Sequence, residues 1–140
     1  MSKYRPKRNF SRDANHSIPV DTCKMITGGL QQNKYGAWRG YIRGYNIELH
    51  DMSKAGGEFV DWMVIIHDRV IFIEVKPERE VVDRSRQKLT DAEYYYGQLT
   101  DGEKSFFDNT SADCRICATH EHVADYITET VNAIEFEDVG

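Results

Sequence analysis

The most hydrophobic segment of the chain, Phe59 to Val75, reads as two strands, about 59–67 and 70–76, joined by a turn at His67-Asp68-Arg69. Trp62, Val64, Ile66, Ile71, Ile73 and Val75 fall on one face and form an unbroken apolar surface. Asp61, Glu74 and Lys76 carry charge into the same segment, and their common face depends on the register. A two-residue loop Asp68-Arg69 sets Asp61 opposite Lys76, and a loop His67-Asp68 sets it opposite Glu74; a three-residue loop splits the trio between faces. Both faces look largely covered, as at the centre of an α/β sheet.

The flanking pattern supplies the other elements. Ser17-Ile18-Pro19 followed by Asp21 predicts a helix start, with Val20, Cys23, Ile26 and Leu30 at helical spacing and Gly28-Gly29 weakening or ending it. Gly36 to Tyr45 predicts one strand on which Arg39 and Arg43 share a face, with Tyr41 between them, and Ile47 to His50 continues it after a bend. Residues 77–100 are polar. Leu89-Thr90-Asp91-Ala92-Glu93 and Leu99-Thr100-Asp101-Gly102-Glu103 are near copies, each resembling a helix N-terminus, and Phe106-Phe107 would pack the second helix on the sheet. Cys114 to Thr119 predicts a short strand, and Val123, Tyr126, Ile127, Thr130, Val131 and Ile134 trace one helical face. The expected order is helix, three strands, helix, strand, helix.

Length and composition bound this picture. The 140 residues suit one domain, 16–134, with a basic arm at 1–15 and an acidic tail at 135–140. With 40% hydrophobic and 29% charged residues, no apolar run of spanning length and an odd count of 3 cysteines, a soluble protein of a reducing, cytoplasmic compartment is expected. The net charge of −5 argues against a nucleic-acid partner, but its distribution reverses that inference. Residues 1–45 carry +7 and residues 46–140 carry −12. Lys3, Arg5, Lys7, Arg8 and Arg12 form an arm able to grip phosphates, although a solvated leader explains them equally well.

Three constellations could carry chemistry. Asp61 and Glu74 are hard oxygen ligands suited to Mg²⁺ or Mn²⁺, the backbone carbonyl of Val75 could add a third, and Lys76 could orient or deprotonate an attacking water. The plainer alternative is a cross-strand salt bridge from Asp61 to Lys76 with Glu74 a bystander. Cys114, Cys117, His120 and His122 are all zinc-binding types, but a strand sends the two cysteines to opposite faces. Trp38, Arg39, Tyr41, Arg43 and Tyr45 interleave aromatics with arginines, as phosphate grip and base stacking require and as a half-exposed strand also does. His16, His50 and His67 have no evident partners in the sequence.

Gly56-Gly57-x-x-Val60-Asp61, then twelve residues before Glu74 in Ile73-Glu74-Val75-Lys76, resembles the PD-(D/E)xK nuclease superfamily. The likeness is greatest to its small stand-alone VRR-NUC-type members, many of them phage-encoded, which are related to Holliday-junction-resolvase-like enzymes. It covers roughly residues 13–134 and implies a restriction-endonuclease-like α/β core, a central mixed sheet flanked by helices. It implies a metal-dependent DNA endonuclease, with Asp61 and Glu74 binding Mg²⁺ or Mn²⁺ and Lys76 catalytic. Branched or structured DNA as substrate, a homodimer, and a host cytoplasm for a phage-encoded chain follow from the resemblance alone. Departures are specific. Val60 replaces the usual Pro, and the family Gln falls on Glu93 counting from Lys76 or on Glu103 counting back from Arg115, with Glu103 slightly favoured; an acid there could add a ligand or spoil a phosphate contact. The first-helix acid matches Asp21 loosely, where helix capping explains it as well. Two rivals are a catalytically inactive DNA-binding protein of the same fold and a zinc-stabilised interaction protein.

Overall fold

Helix α1, Ile18–Thr27, begins after Ser17 with Pro19 in its first turn and ends on Gly28, whose φ of 82° only glycine adopts without strain. The computed structural model describes residues 15–53 and 60–139. Lys3, Arg5, Lys7, Arg8 and Arg12 of the basic arm, and Gly56-Gly57, lie outside the described residues.

Five antiparallel strands follow α1: β1 (Gln31–Gln32), β2 (Trp38–Ile42), β3 (Tyr45–Asp51), β4 (Trp62–Ile66) and β5 (Arg69–Val75). Three short helices, α2 (Val81–Arg86), α3 (Asp91–Gly97) and α4 (Asp101–Asn109), lead to β6 (Asp113–Cys117), which pairs parallel to β5. Helix α5, His120–Val139, closes the chain. The described residues therefore form an α/β fold with a six-stranded mixed sheet in sequential order, flanked by helices.

The β4–β5 hairpin decides the register left open above. Ile66 pairs with Arg69 across a two-residue loop, His67-Asp68, so the trio keeps one face and Asp61 lies opposite Glu74. His67 takes a left-handed φ of 57° at the turn, and its N–H donates to the carbonyl of Asn46. The other face carries Trp62, Val64, Ile66, Ile71, Ile73 and Val75, all buried under α1 and α5 with Val20, Cys23, Val123, Tyr126, Ile127, Val131 and Ile134. The charged face is only partly covered. Phe106 of α4 packs edge-on against Phe72 at 5.5 Å, whereas Val70 stays 44% exposed.

Several sequence expectations need correction. Gly36 to Tyr45 is not one strand, because Arg43 and Gly44 both take positive φ, 51° and 87°, and fold the chain back into the β2–β3 hairpin. Arg43 is thus a turn residue and shares no strand face with Arg39. The acidic residues after Ile134 are the last turns of α5, fixed by Arg43 to Glu135 at 3.0 Å and by Arg69 to Glu137. The polar stretch 77–100 holds the helix expected to start after Thr90, α3, and a second one not expected, α2, and its organiser is Arg79. Its guanidinium is fully buried, donates to the carbonyls of Leu89 and Gln87, pairs with Asp91 at 3.0 Å and stacks on Tyr94.

Gly40 of β2 explains how α1 is joined to the sheet. A Cβ there would stand 2.7 Å from Leu30 Cδ2 and 3.1 Å from the Gly29 carbonyl oxygen. Gly40→Ala is expected to cost about 1–3 kcal/mol through this overpacking, read as a lower midpoint in urea with an unchanged slope.

Candidate functional site

The charged trio lies where the C-terminal end of β5 meets the N-terminus of α4. Asp61 precedes β4; its Oδ2 accepts the Val75 N–H at 2.8 Å, fixing one carboxylate oxygen against the opposite strand. Glu74 is 2% exposed. Lys76 Nζ lies 3.3 Å from Glu74 Oε2 and 3.0 Å from Glu103 Oε1.

Glu103 reaches this group through local helix chemistry. Thr100 caps α4, its hydroxyl accepting the Glu103 N–H at 3.2 Å, while Glu103 Oε1 accepts the Thr100 N–H at 2.8 Å. Thr90 and Glu93 make the same reciprocal box at α3, but Glu93 is exposed and remains a cap. Only one of the two repeated motifs therefore delivers its acid to the site.

The electrostatics separate the carboxyl groups. Burial, the Asp61 charge and Glu103 push the Glu74 carboxyl up to about 9. Burial also raises Asp61, against the Val75 N–H and the nearby His16 and Lys76. Burial alone would raise Glu103, but the Thr100 N–H, Glu74 and Lys76 bring it below the usual range. Burial likewise opposes the ammonium of Lys76, yet Glu103 and Glu74 raise its pKa. The coherent state at neutral pH is an ionised Glu103 answering Lys76, with the proton kept on Glu74. Glu74 Oε1 is buried and accepts no bond from any N–H or O–H donor. An oxygen so placed needs a proton or a cation.

This geometry departs from the simple salt bridge. Lys76 bonds Glu74 and Glu103, while Asp61 is engaged by the Val75 amide. It also differs from the trio read in the sequence, because Lys76 is a charged donor rather than a free base and Glu103 is a fourth member.

His16 was legible as a residue but not as a partner. Its ring stacks on Trp62 at 5.1 Å, and the Trp62 Nε1–H donates to the His16 carbonyl at 2.9 Å. His16 Nε2 lies 3.0 Å from Asp51 Oδ2, an ion-pair contact out of line for a directed hydrogen bond, and Nδ1 lies 3.9 Å from Asp61 Oδ1. His50 meets Glu48 at 3.1 Å and His67 meets the Tyr45 ring, so all three histidines expected to stand alone have neighbours.

The remaining candidates separate. Asp21 is exposed and accepts the Ser17 hydroxyl at 3.0 Å, a contact within its own helical turn. Arg39 pairs with Glu48 at 3.6 Å and stays 62% exposed on its side chain; Arg43 donates to Asn132 and Glu135. His120 Nδ1 bonds the Thr22 hydroxyl, His122 Nδ1 accepts the Ala118 N–H, and burial pushes the Cys114 and Cys117 thiols up to about 12. Among the described residues no three His, Cys, Asp or Glu side chains are grouped to hold a metal ion. The zinc constellation is thus not assembled, and the acidic site offers two carboxylates plus backbone. No helix among the described residues is long and apolar enough to cross a membrane.

Comparison of the chain with family models, curated proteins and solved structures gives no match.

Proposed function

We propose that the chain is a metal-dependent DNA endonuclease built on a restriction-endonuclease-like core. The observation that carries this reading is Glu74: a carboxyl group buried opposite Asp61, one oxygen without a donor, beside a lysine on the same face. A fold has little structural reason to bury such a group, since an apolar residue of similar volume would avoid its desolvation. The donor set fits a hard cation, for which Asp61, Glu74 and the Val75 carbonyl are the holding groups. Bound Mg²⁺ or Mn²⁺ supplies a Lewis acid and an activated water. Lys76, kept charged by Glu103, would orient an attacking water by hydrogen bonding and offset charge developing on the phosphoryl oxygens.

Arg39 supports a nucleic-acid substrate. It pairs with Glu48 across β2–β3, and the ladder through Ile65 and Val70 puts it on the face that carries Glu74. Strand spacing places it roughly 15–20 Å from Asp61, a reach suited to backbone phosphates beyond the cut. Lys7, Arg8 and Arg12 are further backbone contacts on this reading, whereas Arg43 is turned to Asn132 and Glu135 of α5 and is not among them; a homodimer would present two sites to two strands.

The test is incubation of purified protein with linear, supercoiled and branched DNA in Mg²⁺, in Mn²⁺ and in EDTA. Cleavage with either metal and none in EDTA is the expected result. DNA binding without cleavage under both metals selects instead the inactive DNA-binding protein.

A further inference from the structure

We propose that His16 is a positioning residue of this site, acting on the Asp61 carboxylate at the oxygen that the Val75 N–H does not hold; the inference rests on reading Asp61 as a site residue. Asp61 has two oxygens with different surroundings. Oδ2 is tied to the Val75 N–H, and Oδ1 faces His16 Nδ1. His16 is itself held on three sides. Trp62 stacks on its ring and bonds its carbonyl, and Asp51 meets its other nitrogen. Asp51 is fixed in turn, because Oδ1 accepts both the N–H and the hydroxyl of Ser53, at 2.9 and 2.6 Å.

The row Asp51–His16–Asp61 spans three parts of the chain. Asp51 ends β3, Trp62 opposite it begins β4, and His16 stands just before α1. A histidine whose ring is stacked, whose carbonyl is bonded and whose one nitrogen meets a carboxylate presents the other in a set direction, here 3.9 Å from Asp61 Oδ1, the arrangement by which outer groups orient the residues nearer a reacting centre. A stacking ring alone would not require either aspartate to face a nitrogen. The side chain of His16 is 22% exposed and that of Asp61 14%, so water does not level their interaction as it would at an open surface.

The experiment measures backbone amide exchange in metal-free protein, where no assumption about catalysis enters. The Val75 N–H is protected by the Asp61 side chain, whereas the core of β5 is held by strand pairing. His16→Phe keeps an aromatic ring for Trp62 and removes both nitrogens. Exchange at Val75 is expected to quicken about tenfold or more relative to Ile73 in that variant. His16→Asn, which returns a polar group near the Nδ1 position, is expected to recover part of the protection. An unchanged Val75 to Ile73 ratio, a uniform rise along β5, or Asn protecting no better than Phe would each overturn the assignment. If Val75 responds selectively but wild type never cleaves DNA, the positioning role stands and the endonuclease reading falls.

Discussion

Lys76→Ala is expected to lower metal-dependent DNA cleavage by about a thousandfold or more while changing DNA affinity less than about threefold. The ammonium is the only positive charge bonded to the buried acids, and it meets Glu74 and Glu103 at 3.3 and 3.0 Å among the described contacts. Its charge matters most when negative charge grows on the phosphoryl group, so its loss falls on the chemical step rather than on binding. Removing it also leaves Glu103 partly buried without its cation, and some loss of stability accompanies the variant. Lys76→Met separates the two effects, because it retains the stem that packs against the site. Both variants should bind branched DNA and fail to cut it at temperatures where each is folded. Cleavage by Lys76→Met within tenfold of wild type would remove Lys76 from the catalytic role.

The sequence carried this site unevenly, for physical reasons. Alternating apolar residues from Trp62 to Val75 specified the hairpin and its buried face, since a one-residue slip would have turned one strand's three hydrophobic side chains away from the core. Glu103 was readable as one of two similar caps, only slightly favoured over Glu93 for the family Gln position. What distinguishes it from Glu93 is where α4 docks, with Phe106 on Phe72, and that contact is 34 residues away in sequence. His16 was invisible as a partner because it meets Asp51, Asp61 and Trp62 only after the sheet forms. The missed turn at Arg43-Gly44 has a different origin: arginine in a left-handed conformation is uncommon, and GAWRGYIRGY scans as a continuous strand. Arg79 stood in a stretch legible only as polar and charged, and charge normally marks a surface. Three polar groups and the Tyr94 ring around its guanidinium reverse that rule locally. Cys23, Cys114 and Cys117 are all free thiols.

Glu74→Gln is expected to stabilise the metal-free protein and to abolish its binding of Mn²⁺. The folded-state pKa of Glu74 is raised from an ordinary 4.5 to about 9, by burial first and by Asp61 and Glu103 after it. A carboxyl raised in this way contributes its full stability below about pH 4.5, where both folded and unfolded chains hold the proton. That contribution is lost progressively as pH climbs toward 9, because the unfolded chain releases the proton and the folded chain resists doing so. Glutamine keeps the shape and has no proton to lose. The variant should therefore match wild type near pH 4 and exceed it increasingly above pH 5. By pH 8 the gain is expected at about 1–3 kcal/mol, several degrees in Tm for a chain of this size. Metal binding runs the other way. A cation must displace the Glu74 proton, so wild-type affinity for Mn²⁺ rises with pH over the same interval in which metal-free stability falls. Calorimetric titration with Mn²⁺ at pH 6, 7 and 8, beside thermal melts in EDTA, measures both slopes. A variant less stable than wild type at pH 8 would mean that Glu74 is ionised and serves the fold through Lys76. A more stable variant that has lost Mn²⁺ binding identifies a carboxylate kept at a cost to the fold, which is what a metal-holding site requires.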